Sequence, residues 1–400
     1  LLFKIINKLR INLEILNVRG SEPINPDLKT LFSPPPVLKG YMYGAQEAHE
    51  ARNSNRLLAI RLETNTSCNL RCRYCYARSG EDTVKIADFN ALKRIISEAK
   101  GLGIRSVVVI GGGEPTLYPN FRELIAYIDS LGIVPMVFSN TVLMTEELAE
   151  FLHEHNASVM GKLDSLNPEV QDYLAGKEGA FENIKAGLAN LIKAGFSNPE
   201  EPEKLRLGIS FVSNKMNLKE IEEIWHFCRQ KNIFPNMEIL TPTGRANDEL
   251  EDKLLTADEI KEYKLRLLDI DQKYYGYDWL PYTPITASGC LQHLYSLYIN
   301  IEGNVRPCAP TKLDEHPALR VKGEYPYNVN RMSLKEIYNS ELFTYVRNID
   351  RVLEGRCGNC EYIEECIGCR GYAYSTGINN GIDPLKALRM ECQQCFKEKS

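Results

Sequence analysis

The stretch Thr66-Ser-Cys-Asn-Leu-Arg-Cys-Arg-Tyr-Cys-Tyr76 sets Cys68, Cys72 and Cys75 in one loop with CX3CX2C spacing. Three thiolates this close can hold three corners of a [4Fe–4S] cube and leave its fourth iron free to bind a further group. The bland alternative is structural zinc, which takes four ligands and favours cysteine pairs joined to a distant second pair. Here three cysteines crowd one loop and no fourth ligand lies nearby.

The elements around this loop alternate between strand and helix. Short apolar runs at 57–62, 106–110, 133–138, 158–163, 205–212 and 233–240 read as buried strands. Helical spacing fills 89–100, 119–131, 146–155, 184–194 and 218–231. Six β-α repeats of this length predict a parallel sheet with crossover helices. In β/α barrels the site is built from the loops at the C-terminal ends of the strands. Those loops carry Cys68 to Cys75, Gly111-Gly-Gly-Glu-Pro115, Ser139-Asn140, Asp164-Ser165, Ser213-Asn214 and Thr241-Pro-Thr-Gly-Arg245, so all six are expected at one mouth.

Composition fits a globular protein, with 44% hydrophobic and 25% charged residues. A net charge of −5 without a long basic run predicts no nucleic-acid partner. No apolar run reaches membrane-spanning length, so no membrane association is expected. The amphipathic start is too broken for a secretory signal. Twelve cysteines in that context point to metal or redox chemistry in a reducing compartment, and the expected location is cytoplasmic. The six histidines form no ligand spacing. The expected domains are an N-terminal extension over 1–56, a β/α core over 57–250, a helical linker over 251–285 and a cysteine-rich domain over 286–400. Within the last, Leu297-Tyr-Ile-Asn-Ile-Glu-Gly-Asn-Val-Arg306 reads as a hairpin.

The C-terminal cysteines run Cys290-X12-Gly303-X4-Cys308, then Cys357-X2-Cys360-X5-Cys366-X2-Cys369, then Cys392-X2-Cys395. CX2C pairs alone would also suit zinc. Cys228 stands apart on a helix whose apolar stripe holds Ile221, Ile224 and Trp225, and an unpaired cysteine there is ordinarily core.

Taken together, the cysteine loop and Gly111-Gly-Gly-Glu-Pro115 resemble the radical S-adenosylmethionine (radical SAM) superfamily. The C-terminal cysteine order resembles that superfamily's SPASM extension, with one residue fewer between Cys366 and Cys369. The resemblance spans about 60–395. It implies a partial (β/α)6 TIM-like barrel followed by a SPASM domain. It also implies a SAM-binding [4Fe–4S] cluster on Cys68, Cys72 and Cys75, with Tyr74 as a matching aromatic residue. Gly112, Gly113 and Glu114 would bind the methionine amino group, where carbonyls and a carboxylate suit an ammonium ion. Ser139 and Asn140 would hold the ribose, the backbone near Leu240 the adenine, and Ser210 and Asn214 are weaker candidates.

The segment Lys162-Leu-Asp-Ser-Leu-Asn-Pro-Glu169 departs from the family pattern, with Lys162 in place of the usual serine and Ala175 in place of an arginine. Lys162 is expected to take over the methionine carboxylate, or else to face solvent or a substrate carboxylate. Two auxiliary [4Fe–4S] clusters are implied. The outer would use Cys357, Cys360, Cys366 and Cys392, and the inner Cys290, Cys308 and Cys369. The inner cluster's fourth position would be an open iron, a non-cysteine ligand or Cys395.

The resemblance implies reductive cleavage of S-adenosylmethionine to a 5′-deoxyadenosyl radical that takes hydrogen from a substrate. The expected substrate is a peptide or protein side chain, and the alternative is a tetrapyrrole, sugar or metal-cofactor precursor. Cys228 is a candidate hydrogen donor, and a ferredoxin or flavodoxin the expected electron source. A reading of another class, a zinc-stabilised binding protein without catalysis, stands beside these.

Overall fold

A computed structural model of the chain describes residues 32–81, 83–201 and 204–397. Six parallel strands form the heart of the fold. They are β1 (Ala59–Leu62), β2 (Ser106–Val109), β3 (Val134–Phe138), β4 (Ser158–Lys162), β5 (Leu207–Ser213) and β6 (Phe234–Ile239). Each pairs with the next in chain order, and among the described residues no pairing joins β6 back to β1, so the barrel is partial. A helix α1 (Ala45–Asn53) precedes these strands, the expected helices appear as α2 (Phe89–Gly101), α3 (Phe121–Ser130), α4 (Glu146–Glu154), α6 (Ala180–Lys193) and α7 (Ile221–Gln230), and α8 (Ala257–Ile270) falls in the expected helical linker. An additional helix, α5 (Pro168–Ala175), is capped by the Asn167 side chain, which accepts from the Glu169 N–H.

Strand periodicity divides the core into two layers. Val107 and Val109 face the helices in the main core, while Val108 faces the concave side with Met136, Met160 and Phe234. Leu38, Tyr41 and Met42 complete that inner cluster, and the Lys39 N–H donates to Leu205 O at 3.1 Å. A segment with few signals in the sequence therefore fills the concave face. Burial of each such side chain is worth roughly 1.5–3 kcal/mol.

The hairpin before Cys308 forms β7 (Ser296–Ile299) and β8 (Val305–Arg306), antiparallel to one another. β7 also pairs in parallel with β1, so one eight-stranded sheet runs β6-β5-β4-β3-β2-β1-β7-β8 among the described residues. That pairing fastens the start of the cysteine-rich region to the first barrel strand.

Candidate active site

The Cys68 to Cys75 loop leaves β1 and is gripped from the far side of the barrel. Arg245, 1% exposed, follows β6 and reaches back across the mouth. Its Nε donates to Cys72 O at 2.8 Å and its Nη1 to Ser79 O at 3.1 Å and Glu81 Oε1 at 2.9 Å. Its backbone N–H donates to Cys75 O at 3.0 Å. The preceding Gly244 has φ +60°, and a Cβ there would stand 2.4 Å from Cys75 O, so glycine is required for this approach. Arg71 and Arg73 both reach Glu249, at 3.2 and 2.7 Å, adding a second tie.

The loop after β2 lies flush against the cysteine loop. Glu114 N–H donates to Ser67 O at 2.7 Å, and a Cβ on Gly113 would sit 1.9 Å from that same oxygen. The Glu114 carboxylate, 2% exposed, accepts from Thr116 N–H and Oγ1, Ser139 Oγ and the Asn140 N–H. Those four donors use about all the acceptor capacity of a carboxylate. Burial raises its pKa, and the Asn140, Ser139 and Thr116 donors oppose the shift. In this geometry the Glu114 carboxylate braces the β2 and β3 loops. Ser139 is likewise spent on Glu114, while the Asn140 side chain bonds Asn69 Oδ1 at 2.6 Å and Val142 N–H at 3.0 Å.

Opposite these loops, Tyr74 donates to Asp164 Oδ2 at 2.5 Å and packs beside Leu240 and Leu174. Asp164 is fully buried and also accepts from the Val212 N–H at 2.9 Å. Lys162 lies at the C-terminal end of β4, two residues beyond the inward-facing Met160. Its Nζ is 3.2 Å from Asp164 Oδ1, 3.4 Å from Ser210 Oγ and 4.7 Å from the Tyr74 ring centre. Tyr74, Lys162, Ser210 and Leu240 are therefore gathered in one quarter of the mouth, and Gly112 to Asn140 in another. Asn214 instead closes a loop with Asn217 and Met216.

The donor set fits an iron–sulfur cluster at the first loop. Burial pushes the Cys68 thiol up to about 11 and that of Cys72 to about 12, with Cys75 opposing the ionisation of both. Such thiols become good ligands when a metal displaces the proton. Among the described residues no three His, Cys, Asp or Glu side chains converge tightly enough to hold a single metal ion. Zinc would need its sulfurs roughly 4 Å apart, given Zn–S bonds of about 2.3 Å.

Four of the eight C-terminal cysteines border open space. Cys357, Cys360, Cys366 and Cys395 line one cavity of about 320 Å³. Cations stand beside these thiols: Arg370 Nη2 is 4.0 Å from Cys357 Sγ, and Lys264, 1% exposed, donates to Thr283 O at 2.5 Å. Burial lowers the Lys264 pKa to about 8, and the charges of Cys366, Cys392, Cys395 and Cys369 oppose that fall. An anionic cluster suits such a setting. Cys395 thus shares a cavity with Cys357, Cys360 and Cys366. Cys228 needs correction as a hydrogen donor. It is fully buried in the main core on α7, on the helix side of the sheet and away from the mouth.

Sequence reasoning missed Arg245 and Asp164 as site residues, although both lay in quoted strand-end loops. A charged residue directly after a strand-end glycine was the available signal for Arg245.

Comparison with known proteins places this geometry in a family. The radical SAM superfamily model matches residues 62–228, and the SPASM iron–sulfur cluster-binding domain model matches residues 290–361. The chain is 28% identical over 360 residues to the AdoMet-dependent heme synthase of Methanosarcina barkeri, covering 81% of this chain and 93% of that protein. It is 27% identical over 352 residues to the mycofactocin maturase MftC of Mycobacterium tuberculosis, covering 85% and 84%. In fold it is similar to Streptococcus suis SuiB bound to S-adenosylmethionine, with TM-score 0.60, 16% identity and coverage of 87% and 80%. It is similar also to anSMEcpe with bound AdoMet and the Cp18Cys peptide, with TM-score 0.59, 17% identity and coverage of 80% and 90%.

Proposed function

The chain belongs to the radical SAM superfamily and carries a SPASM domain, and from that premise we propose that it modifies a peptide or protein side chain. The family makes it an enzyme with a SAM-binding [4Fe–4S] cluster and auxiliary clusters. The observation that carries the peptide reading is the alignment with the maturase MftC over 85% of the chain. When bound, the first cluster and S-adenosylmethionine supply a 5′-deoxyadenosyl radical able to take hydrogen from carbon.

The chain's own residues do the holding and the positioning. Cys68, Cys72 and Cys75 hold the cluster, and Arg245 fixes the backbone that carries them. The Gly112 and Gly113 backbone meets the methionine ammonium, while Glu114 keeps the β2 and β3 loops in register. Lys162, steadied by Asp164 and Ser210, meets the methionine carboxylate. The backbone at Leu240 meets the adenine, with Tyr74 packed beside it. Ser139 and Asn140 shape the loop near the ribose through their bonds to Glu114 and Asn69. Electrons come from a small carrier of the ferredoxin or flavodoxin kind. No described helix is long and apolar enough to cross a membrane.

The Lys162 assignment makes a measurable prediction. A charge-assisted hydrogen bond is worth about 1.5–3 kcal/mol, so Lys162→Ala is expected to weaken SAM binding by roughly tenfold to a hundredfold. The shift of the reduced cluster's EPR signal, titrated with SAM, measures this. Unchanged affinity would remove Lys162 from the SAM site.

A second reading, action on a tetrapyrrole, is favoured by the heme synthase, which aligns over 93% of its own length. One experiment separates the two. Reconstituted protein, dithionite and SAM are incubated anaerobically with a peptide library or with iron coproporphyrin III, and 5′-deoxyadenosine and substrate mass are followed. A mass change on peptide supports the proposal. A change confined to the porphyrin transfers the assignment to the second reading.

A further inference from the structure

Arg61 is a buried cation with unpartnered donors. Ile60 and Leu62 face the main core, so Arg61 points from β1 to the concave side, level with Val108 of β2 and Tyr298 of β7. It is 5% exposed, and its Nε and Nη2 have no hydrogen-bond partner among the described residues. The same edge of Arg229 engages both oxygens of Asp271, at 3.0 and 2.6 Å. Glu63, further along the chain from Arg61, instead accepts from the Tyr298 hydroxyl and the Ile301 N–H. Glu238, facing inward from β6, accepts from the Asn236 side chain at 2.6 Å. The Oδ1 of that fully buried asparagine is itself unpartnered among the described residues. The wall beside Arg61 is aromatic. Its guanidinium lies 5.6 Å from the Tyr41 ring centre, and Tyr41 packs on Phe138 and Phe234. Ile110, Phe138, Lys162 and Glu238 are only half-buried at the strand ends, which leaves the concave side open toward the mouth.

A guanidinium does not shed its proton in a protein, and a buried charge without a partner is costly. A carboxylate matches the paired donors of the guanidinium edge, and its single negative charge balances the cation. We propose that Arg61 binds a carboxylate of the substrate inside the barrel, with the apolar group that carries it resting on Tyr41 and Phe138. Asn236 Oδ1, on the last of the six strands, then offers an acceptor to a substrate N–H. This inference rests on the proposed action at the barrel mouth and narrows it to substrates that bear a carboxylate. In the peptide reading that group is the C-terminus or an Asp or Glu side chain. In the tetrapyrrole reading it is a propionate. Cys290 packs against the same inner residues, so the inner auxiliary cluster is the competing partner for the guanidinium.

The test uses the full chain, reconstituted anaerobically with SAM, and reads the ligands retained on the protein by mass spectrometry. The peptide library is offered with free carboxylates, with its C-termini amidated, and with its Asp and Glu residues methyl-esterified. Iron coproporphyrin III is offered beside its tetramethyl ester. Blocking the recognised carboxylate is expected to weaken retention roughly tenfold to a hundredfold, and the arm in which this happens identifies the source. The proposal is overturned if no ligand is retained, or if retention is the same in every blocked form. A preference confined to the porphyrin acid upholds Arg61 as the carboxylate site while the peptide reading fails. Arg61→Met is expected to erase the preference for the free acid and to leave the auxiliary EPR signals in place. The thermal midpoint of the ligand-free variant is expected to hold or rise, because an unpaired buried charge is removed. A surviving preference overturns the proposal. So does a lowered midpoint with altered auxiliary signals, which makes Arg61 a partner of the inner cluster. The blocked-ligand arms need no variant, so they decide the question even where Arg61→Met fails to fold.

Discussion

Cys72→Ala is expected to abolish 5′-deoxyadenosine formation and to lower iron from about twelve to about eight per chain, the loss of one cubane of three. Cys72 is the middle ligand of the loop, and two remaining thiolates leave two irons of the cube without protein donors. The auxiliary cysteines lie in a separate cluster of elements, so their spectra are expected to persist. Iron analysis, Mössbauer spectroscopy and product chromatography on one preparation check the prediction. Retained 5′-deoxyadenosine formation would show that the radical chemistry does not start at this loop.

Arg245→Leu is expected to have the second largest effect, although Arg245 is not a ligand. The substitution strips a donor from the carbonyls of Cys72 and Ser79, and from Glu81. Leaving a buried carbonyl acceptor unpaired costs about 1–3 kcal/mol, whereas Glu81 is exposed and keeps Arg71 and Arg78 beside it. With the loop freed, the first cluster is expected to load poorly, while the auxiliary clusters, whose cysteines Arg245 does not touch, load normally. Iron content, the SAM-responsive EPR signal and the thermal midpoint read the three effects. Arg245→Lys is expected to recover only part of the loading, because an ammonium cannot span Cys72, Ser79 and Glu81 with the planar fork of a guanidinium. Normal first-cluster loading in Arg245→Leu would reduce the arginine to a packing role.

Gly244 and Arg245 illustrate where the sequence stops being readable. The loop after β6 was marked as a site loop by its position alone. That its arginine holds a loop 173 residues earlier required the barrel to bring the two strand ends together. Glu114 is the converse case. Its motif was legible, yet the use of its carboxylate depends on Ser139 and Asn140, which arrive from the next strand. Leu38, Tyr41 and Met42 carry no periodic pattern, and their place in the concave core is set by the strands that surround them.

What the sequence determined by itself was local: strands of period two, helices of period 3.6, and three thiols close enough along the chain to share one cluster. Such features are written in neighbouring residues because backbone geometry repeats over a few positions. The tertiary structure alone decided the pairing of β7 with β1, the clamp of Arg245 on the cysteine loop and the spending of the Glu114 oxygens. Each joins residues far apart in the chain. Their meeting depends on how the strands stack and the loops converge, and no local spacing records it.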